Sequence, residues 1–342
     1  MTNRILVIGD SYMSSSVFER ALDDGSLAGD SDVSTITIVD APTWSTDGLR
    51  EFEGDPAEVD ALIDGHEVLA LHAAPITRQV LERNPSVRMI AVARGGPVNV
   101  DLAAAKELGV TVTTTPGKNA QAVADLTIGF IIALLRNVLP SVRDVDDALA
   151  QGRGVAESTF EGARWFGYEM GARRLGLVGF GHVARLVAAR AQALGMEVTA
   201  FDPFVDATTV PAGIRIVTDL DDLLANNEVI SLHARASDEN RHMMNADAFG
   251  RMPAGSFFVN TARESLADEQ ALLAALRSGH LTGAALDVFE TDGPWRDLVA
   301  LPQVLLTPHI AGATHETLRR GADMLVGEIT AHLTGAELRW QA

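Results

Sequence analysis

Short apolar runs alternate with amphipathic stretches along the first third of the chain. Apolar runs at residues 4–9, 68–71 and 89–93 are typical of strands that are buried on both faces. Between them, residues 55–64 and 101–108 have the spacing of amphipathic helices. This alternation predicts a doubly wound unit, in which helices cover both faces of a parallel sheet.

A second unit of the same kind follows. Its apolar runs predict strands at 175–179, 197–201, 228–232, 256–260, 282–287 and 303–306. A long helix is predicted within 119–150 and a last helix at about 314–334, after Pro308. The glycine-containing segment 151–172 lacks periodicity and predicts an arm or loop that could contact a second subunit. The expected fold class is α/β, with two doubly wound parallel-sheet domains.

Residues 176–202 combine a strand, a glycine turn, an amphipathic helix and a second strand that ends in an acid. Gly179 and Gly181 allow a tight turn close to a pyrophosphate at the helix N-terminus, and Ala184 permits close helix–strand packing. Asp202 lies where a carboxylate accepts hydrogen bonds from an adenosine ribose and repels a 2′-phosphate. The pattern predicts NAD rather than NADP. The alternative is a crossover whose glycines serve packing only.

Composition narrows the classes of function. The chain has 342 residues, 47% of them hydrophobic, and it has no cysteine, which excludes disulfides, thiolate metal sites and a cysteine nucleophile. The start lacks a signal-peptide pattern, and no apolar run reaches about 18 residues. A cytoplasmic enzyme without a metal or a membrane contact is expected. The net charge of −19 disfavours nucleic acid and requires local cations to hold an anionic substrate.

Two polar segments follow predicted strands and suit anion binding. Gly95 and Gly96 expose backbone N–H groups that suit a carboxylate, although a plain tight turn is the alternative. Arg263 follows the strand that ends at Asn260, and its guanidinium can bind a carboxylate and a carbonyl oxygen together. The alternative for Arg263 is a surface ion pair with a neighbouring acid, Glu264 or Asp268.

Two further segments bring acids and a histidine to strand ends. Residues 285–292 run from a strand into three acids, and a solvated loop is the simpler explanation, most of all for Glu290. His309 stands behind a proline and before small residues, which suits acid–base chemistry, whereas a lone histidine is more often structural. The functional interpretation depends on the four segments together, because each follows a strand at the carboxyl edge of a sheet, where ligands bind.

In these motifs the chain resembles the D-isomer-specific 2-hydroxyacid dehydrogenase family over roughly residues 65–330. The ordered motifs are Gly95-Gly96 before Asn99-Val100-Asp101, Pro116-Gly117-Lys118-Asn119 with Val123-Ala124-Asp125, the central glycine fingerprint, Asn260-Thr261-Ala262-Arg263, Asp287-Val288-Phe289 and Thr307-Pro308-His309-Ile310. The resemblance implies a flavodoxin-like substrate domain at 1–117 and 309–342. An NAD-binding Rossmann domain at 118–308 would be inserted in it, with substrate in the cleft.

The resemblance also implies roles for individual residues. Arg263 would bind the 2-oxo acid and His309 would be the general acid/base. The acid that pairs with this histidine falls on Asp292, where Glu is usual, and Glu290 is the alternative. Gly95 and Gly96 would hold the substrate carboxylate. Toward the cofactor, the expected contacts are Asp287 with the nicotinamide amide, His182 and Val183 with the pyrophosphate, and further contacts from Thr261, Ala262 and Gly312.

Departures from the family pattern bear on the substrate. Arg235 stands where proline is frequent and could bring a cation to the cofactor or the substrate, and Glu264 replaces a usual glycine. The loop at 71–77 has alanine at the slot of a phosphate-binding arginine, which disfavours a phosphorylated substrate, and His72 is expected to contact a polar, hydroxylated one. A homodimer is expected.

Two other functions compete with a dehydrogenase. One is an NAD(H)-sensing binding protein of the corepressor type on the same fold. The other is a serine hydrolase, suggested by Gly9-Asp10-Ser11. Such a hydrolase requires D-x-x-H, whereas the histidines at 309, 315 and 332 are preceded at that spacing by Leu306, Gly312 and Ile329.

Overall fold

The computed structural model describes residues 2–24, 31–39, 43–46, 48–154, 162–171 and 173–342. The chain divides into two compact units, Met1–Lys118 with Thr314–Ala342, and Asn119–Ala313. Residues 309–313 therefore lie with the second unit. The functional division at 117/118 and 308/309 stays a prediction.

Strands and helices are numbered along the chain. Those of the first unit are β1 (Asn3–Gly9), α1 (Ser15–Asp24), β2 (Ser31–Thr37), β3 (Thr43–Thr46), β4 (Leu49–Phe52), α2 (Pro56–Ile63), β5 (Val68–Leu71), α3 (Arg78–Arg83), β6 (Met89–Val92), α4 (Leu102–Glu107), β7 (Thr111–Thr113) and α12 (His315–Thr334).

The described part of the first unit contains a five-stranded parallel sheet in the order β2-β1-β5-β6-β7. Every residue of β5 and β6 is buried, because helices cover both faces of the sheet. On one face, Leu325 and Ile329 of α12 pack with Phe18 of α1. The parallel sheet confirms the predicted fold class. The antiparallel pair β3-β4 was not predicted.

The elements of the second unit are α5 (Ala120–Leu135), α6 (Val138–Ala150), β8 (Arg174–Val178), α7 (His182–Ala193), β9 (Glu197–Phe201), β10 (Ile214–Val217), α8 (Leu220–Asn226), β11 (Val229–Leu232), α9 (Ala246–Arg251), β12 (Ser256–Asn260), α10 (Glu269–Arg277), β13 (Leu281–Leu286), α11 (Trp295–Ala300) and β14 (Val304–Leu306).

A parallel sheet of seven described strands, in the order β10-β9-β8-β11-β12-β13-β14, runs through the second unit. The strand order reverses between β8 and β11, and ligands of open α/β sheets bind outside the carboxyl ends of strands at such a switch point. β8 ends at the glycine turn, so the fingerprint lies at the switch point. The second doubly wound sheet also agrees with the predicted fold class.

The long helix predicted within 119–150 is confirmed as α5, and a second helix, α6, follows it. Two helices, α5 and α6, meet at a bend of 66°, and Asn137 between them is left-handed at φ 51°. The Asn137 side chain donates to Phe166 O, and Tyr168 N donates to Leu135 O, so residues within the predicted arm contact the chain between the two helices. Residues 155–161 and 172 of that arm lie outside the described residues.

The bent pair of helices also bears on whether the described residues contain a candidate membrane span. Within the described ranges, no helix taken alone has both the length and the apolar character to cross a membrane, whereas α5 and α6 together do so by length and composition only.

Candidate active site

The glycine turn after β8 contains two glycines with different surroundings. Gly179 has a φ of 89°, and a Cβ there would lie 2.6 Å from the backbone nitrogen of Ala234. Gly181 has an ordinary negative φ, and a Cβ there would meet no atom within 4 Å. The fold therefore requires glycine at 179 but not at 181. An open position at the turn is what a closely approaching pyrophosphate needs.

The first turn of α7 adds to this site. Gly181 is its N-cap and provides no side-chain hydrogen bond, so the first N–H groups of the helix remain available, with His182 and Val183 in that turn. Asp202 accepts from Phe180 N at 2.8 Å and from Phe204 N at 2.9 Å. The carboxylate predicted to bind a ribose thus lies against the glycine turn.

The carboxylate of Asp287, directly after β13, holds the loop that follows β14. It is 1% exposed and accepts from Thr307 Oγ1 at 2.6 Å and from the N–H groups of Ile310 and Ala311 at 2.8 Å each. The Asp287 carbonyl accepts from His309 N at 2.8 Å. The sequence did not predict this structural role. The nicotinamide contact of Asp287 stays a prediction.

His309 is exposed and has a φ of 58°. A left-handed backbone is unfavourable for a histidine and persists only where surrounding contacts impose it, which the Asp287 hydrogen bonds do. In the described part of the chain, no carboxylate lies within ion-pairing distance of its ring. Asp292 is exposed, so its pairing with His309 stays a prediction.

Glu290, the alternative partner, is engaged elsewhere. Its carboxylate lies 3.3 Å from Arg241 and 3.7 Å from the ring of His242. Its backbone N–H donates at 2.8 Å to Glu269, which is buried at the start of α10. Burial, together with the charges of Glu290, Glu264 and Asp292, raises the pKa of Glu269 to about 7. Helix periodicity gave no signal for this buried acid.

Arg263 follows β12 and is exposed. Its guanidinium donates to Ala262 O at 2.7 Å, and no carboxylate of the described residues pairs with it, so the alternative of an ion pair with Glu264 or Asp268 is not what the structure shows. Asn260 fixes the loop, because its side chain donates to Arg263 O and accepts from Ala262 N. The neighbouring Thr261 is buried, and its hydroxyl bonds that of Thr127 on α5 at 2.9 Å.

Other predicted positions of the second unit are placed as follows. Arg235 is exposed after β11. Gly312 packs on Asn119, since a Cβ at Gly312 would lie 2.9 Å from the Asn119 amide nitrogen. His233 was not predicted. It bonds Ser231 Oγ at 2.9 Å, and burial lowers its pKa to about 3, so this imidazole is neutral at physiological pH.

In the first unit, Gly95 and Gly96 are exposed after β6. Their N–H groups donate to no acceptor of the described residues, as a site for a carboxylate requires. His72, after β5, bonds the buried carboxylate of Asp10 at 2.9 Å and stacks on the Tyr12 ring at a centroid distance of 5.1 Å. Burial lowers the pKa of His72 although Asp10 opposes the shift. The sequence predicted His72 but neither Asp10 nor Tyr12 as its neighbour.

Comparisons with known proteins point to one family. Residues 128–311 match the model of the D-isomer specific 2-hydroxyacid dehydrogenase, NAD binding domain. A hydroxypyruvate reductase of Thermotoga maritima is 34% identical over 81% of this chain and 88% of its own. An (S)-sulfolactate dehydrogenase of Chromohalobacter salexigens is 37% identical over 72% of this chain and 77% of its own. The apo-structure of D-lactate dehydrogenase from Escherichia coli superposes with a TM-score of 0.77 at 26% identity, covering 99% of both chains.

The two glycines of the turn should respond differently to alanine. Gly179→Ala should lower the free energy of unfolding by more than about 2 kcal/mol, because a methyl group clashes with the backbone at a left-handed position. Gly181→Ala should stay as stable as the wild type and bind NADH about tenfold more weakly, because the methyl group occupies the approach of the pyrophosphate. Urea denaturation and fluorescence titration measure the two effects. Wild-type NADH affinity in Gly181→Ala would contradict the placement of the cofactor.

The hydrogen bonds to the Asp287 carboxylate can be tested by removing the hydroxyl donor of Thr307. Thr307→Val keeps the shape of the side chain but removes one donor to a buried carboxylate, so we expect a loss of about 1–2 kcal/mol in the free energy of unfolding. Thr307→Ser is the matched control, since it retains the hydroxyl group. Equal stability of the valine and serine variants in urea would show that this hydrogen bond does not hold the loop.

Proposed function

Because this chain belongs to the D-isomer-specific 2-hydroxyacid dehydrogenase family, we propose that it interconverts a small D-2-hydroxy acid and its 2-oxo acid, with NAD as the hydride carrier. One observation carries the assignment of residues. The strands β12, β13 and β14 are neighbours in the sheet, and each is followed within three residues by a candidate functional side chain. These are the exposed guanidinium of Arg263, the buried carboxylate of Asp287, which orders a loop, and the exposed imidazole of His309. Neither exposed group has an ionic partner among the described residues, so both are available to a ligand.

The cofactor supplies hydride chemistry, and the residues of the chain supply binding and a proton. Gly181, the first turn of α7 and Asp202 fit a dinucleotide, because the turn is open and the carboxylate lies beside it. An acid at this position also supports NAD over NADP. The relatives reported above are named as dehydrogenases and reductases, which gives no support to a binding protein of the corepressor type.

On reduction of a 2-oxo acid, His309 in its protonated form donates a proton to the carbonyl oxygen. Arg263 stabilises the negative charge that develops on that oxygen and binds the carboxylate. The free N–H groups of Gly95 and Gly96 bind the same carboxylate. Asp292 orients the imidazole and carries the opposite charge to its protonated form. In the reverse direction His309 in its neutral form accepts the hydroxyl proton.

A homodimer in the cytoplasm completes the proposal. Exposed apolar residues lie on one side of α6, at Val138, Val142, Val145 and Leu149, and the last of these is 81% exposed. An apolar face of this kind supports an interface between subunits.

Replacement of the imidazole tests the reaction. His309→Asn should lower kcat by about a hundredfold or more with NADH and a panel of 2-oxo acids, because the proton donor is lost. Asparagine adopts the left-handed backbone readily, so the loop keeps its shape and the thermal midpoint should not change. Unchanged turnover in this variant would refute the role of His309. Tight NADH binding by the wild type without turnover of any 2-oxo acid would instead indicate a binding protein.

The two candidate partner acids can be separated by pH. Asp292→Asn should shift the pH dependence of kcat/KM toward lower pH, because a neutral amide no longer stabilises the imidazolium. Glu290→Gln is the matched control and should leave the profile in place, since Glu290 pairs with Arg241. A shift in the glutamine variant and none in the asparagine variant would transfer the role to Glu290.

A further inference from the structure

The first unit holds a buried cation that the proposed reaction does not use. Lys118 is 8% exposed, and its ammonium donates to Ala93 O, at the end of β6. In the described part of the chain no carboxylate lies within ion-pairing distance of it. A buried ammonium that forms no ion pair is unfavourable, because water is excluded and the more distant carboxylate of Asp10 offsets that loss only in part.

The fold makes room for this side chain. A Cβ at Gly321, inside helix α12, would lie 2.9 Å from Cδ of Lys118, so glycine there is required by the lysine stem. Glycine inside a helix costs about 1 kcal/mol relative to alanine. Arg320 of the same helix donates to the carbonyl oxygen of Lys118. Contacts with α12 therefore hold Lys118 in a buried position.

The residue type supports the same conclusion. The chain has 27 basic residues, and only two of them, Lys106 and Lys118, are lysines. Lys106 is exposed on α4. The Lys118 ammonium is a compact charge with three donors, of which the described residues engage one.

The position of the ammonium relates it to the proposed substrate. Ala93, its acceptor, lies two residues before Gly95, and Thr115 N donates to Arg94 O, so the loops after β6 and β7 are joined at this edge of the sheet. Arg94 does not serve as a free cation, because it binds the carboxylate and the carbonyl of Glu51.

Resting on the proposed function, we infer that Lys118 binds a second anionic group of the substrate. A monocarboxylate brings one negative charge, for which Arg263 and the N–H groups at Gly95 and Gly96 suffice. The lysine remains as a further cation in a chain of net charge −19. A sulfonate, a carboxylate or a phosphate at the far end of the substrate has the shared chemistry that it requires.

The charged surroundings of Lys118 fit this role. Burial and the charge of Arg94 lower its pKa to about 8, and the charge of Asp10 opposes the shift. Asp10 is already engaged by three backbone N–H groups and by His72, and His72 is a neutral neighbour near pH 7, because burial lowers its pKa. A bound anion would favour the ammonium and raise the pKa of Lys118.

Substrate preference gives the first test. With NADH, the wild type should show a higher kcat/KM for at least one of 3-sulfopyruvate, oxaloacetate and phosphohydroxypyruvate than for pyruvate or hydroxypyruvate, and the three charged substrates identify the group. Lys118→Met should reduce that preference by about ten- to hundredfold, because a hydrogen bond between charged groups is lost. Lys106→Met is the matched control and should keep the preference. An equal loss for pyruvate and the charged substrates in Lys118→Met, or no preference in the wild type, would overturn the inference.

A second test does not depend on turnover. In a Lys106→Arg background, labelling with [13C]lysine leaves one lysine, whose side-chain resonance reports its pKa directly. It should titrate near pH 8 in the ligand-free protein and at higher pH with 3-sulfolactate, malate or 3-phosphoglycerate, whereas lactate should not move it. A pKa that no dianion moves, or that lactate moves equally, would overturn the inference even if the enzyme is active. Absence of all turnover beside a dianion-induced shift would reject the proposed reaction alone.

Discussion

The geometry of the candidate catalytic loop depends on one buried carboxylate. Asp287 accepts three hydrogen bonds from the loop after β14, and these bonds hold His309 in a backbone conformation that histidine rarely adopts. The imidazole gains a fixed direction at the cost of local strain, and the strain is supported from a neighbouring strand of the same sheet. This arrangement is typical of sites where rigid elements position a side chain on a loop.

Unused hydrogen-bonding capacity distinguishes the ligand-facing positions from the structural ones. Among the described residues, the N–H groups of Gly95 and Gly96 have no acceptor, and the guanidinium of Arg263 donates to the carbonyl oxygen of Ala262 but pairs with no carboxylate. By contrast, Asp287 and Asn260 are fully engaged within the protein. The same contrast separates Gly179, which the fold requires, from Gly181, which it does not. At Gly181 the open space adjoins the first turn of α7, where a bound pyrophosphate would lie.

The sequence predicted the strands well because buried parallel strands are short, continuous apolar runs, and β5, β9 and β12 begin and end at the predicted residues. It predicted the long helix α5 but not the bend at Asn137, where contacts with Phe166 and Tyr168 lie between α5 and α6. It missed β10, a half-buried edge strand without an apolar run. Motif order located the catalytic candidates. The roles of Glu269 and Asp10 depend on contacts between distant segments, which no local pattern contains.

Two buried ionisable groups show how local surroundings override the overall charge. The chain carries a net charge of −19, yet the pKa of Glu269 is raised by burial and by neighbouring acids, and the pKa of Lys118 is lowered by burial and by a neighbouring arginine. Like charges near each group weaken its charged form, although the carboxylate of Asp10 partly offsets Arg94 at Lys118. Glu269 relieves this by protonation near neutral pH, because its acceptor role toward Glu290 N needs only one oxygen. Lys118 can lose its proton near pH 8, and among the described residues its ammonium donates to a carbonyl oxygen, which stabilises the charge less than a carboxylate would. An anion from outside the chain would stabilise the ammonium further, and the net charge of −19 means that such an anion is held by local contacts rather than attracted from a distance.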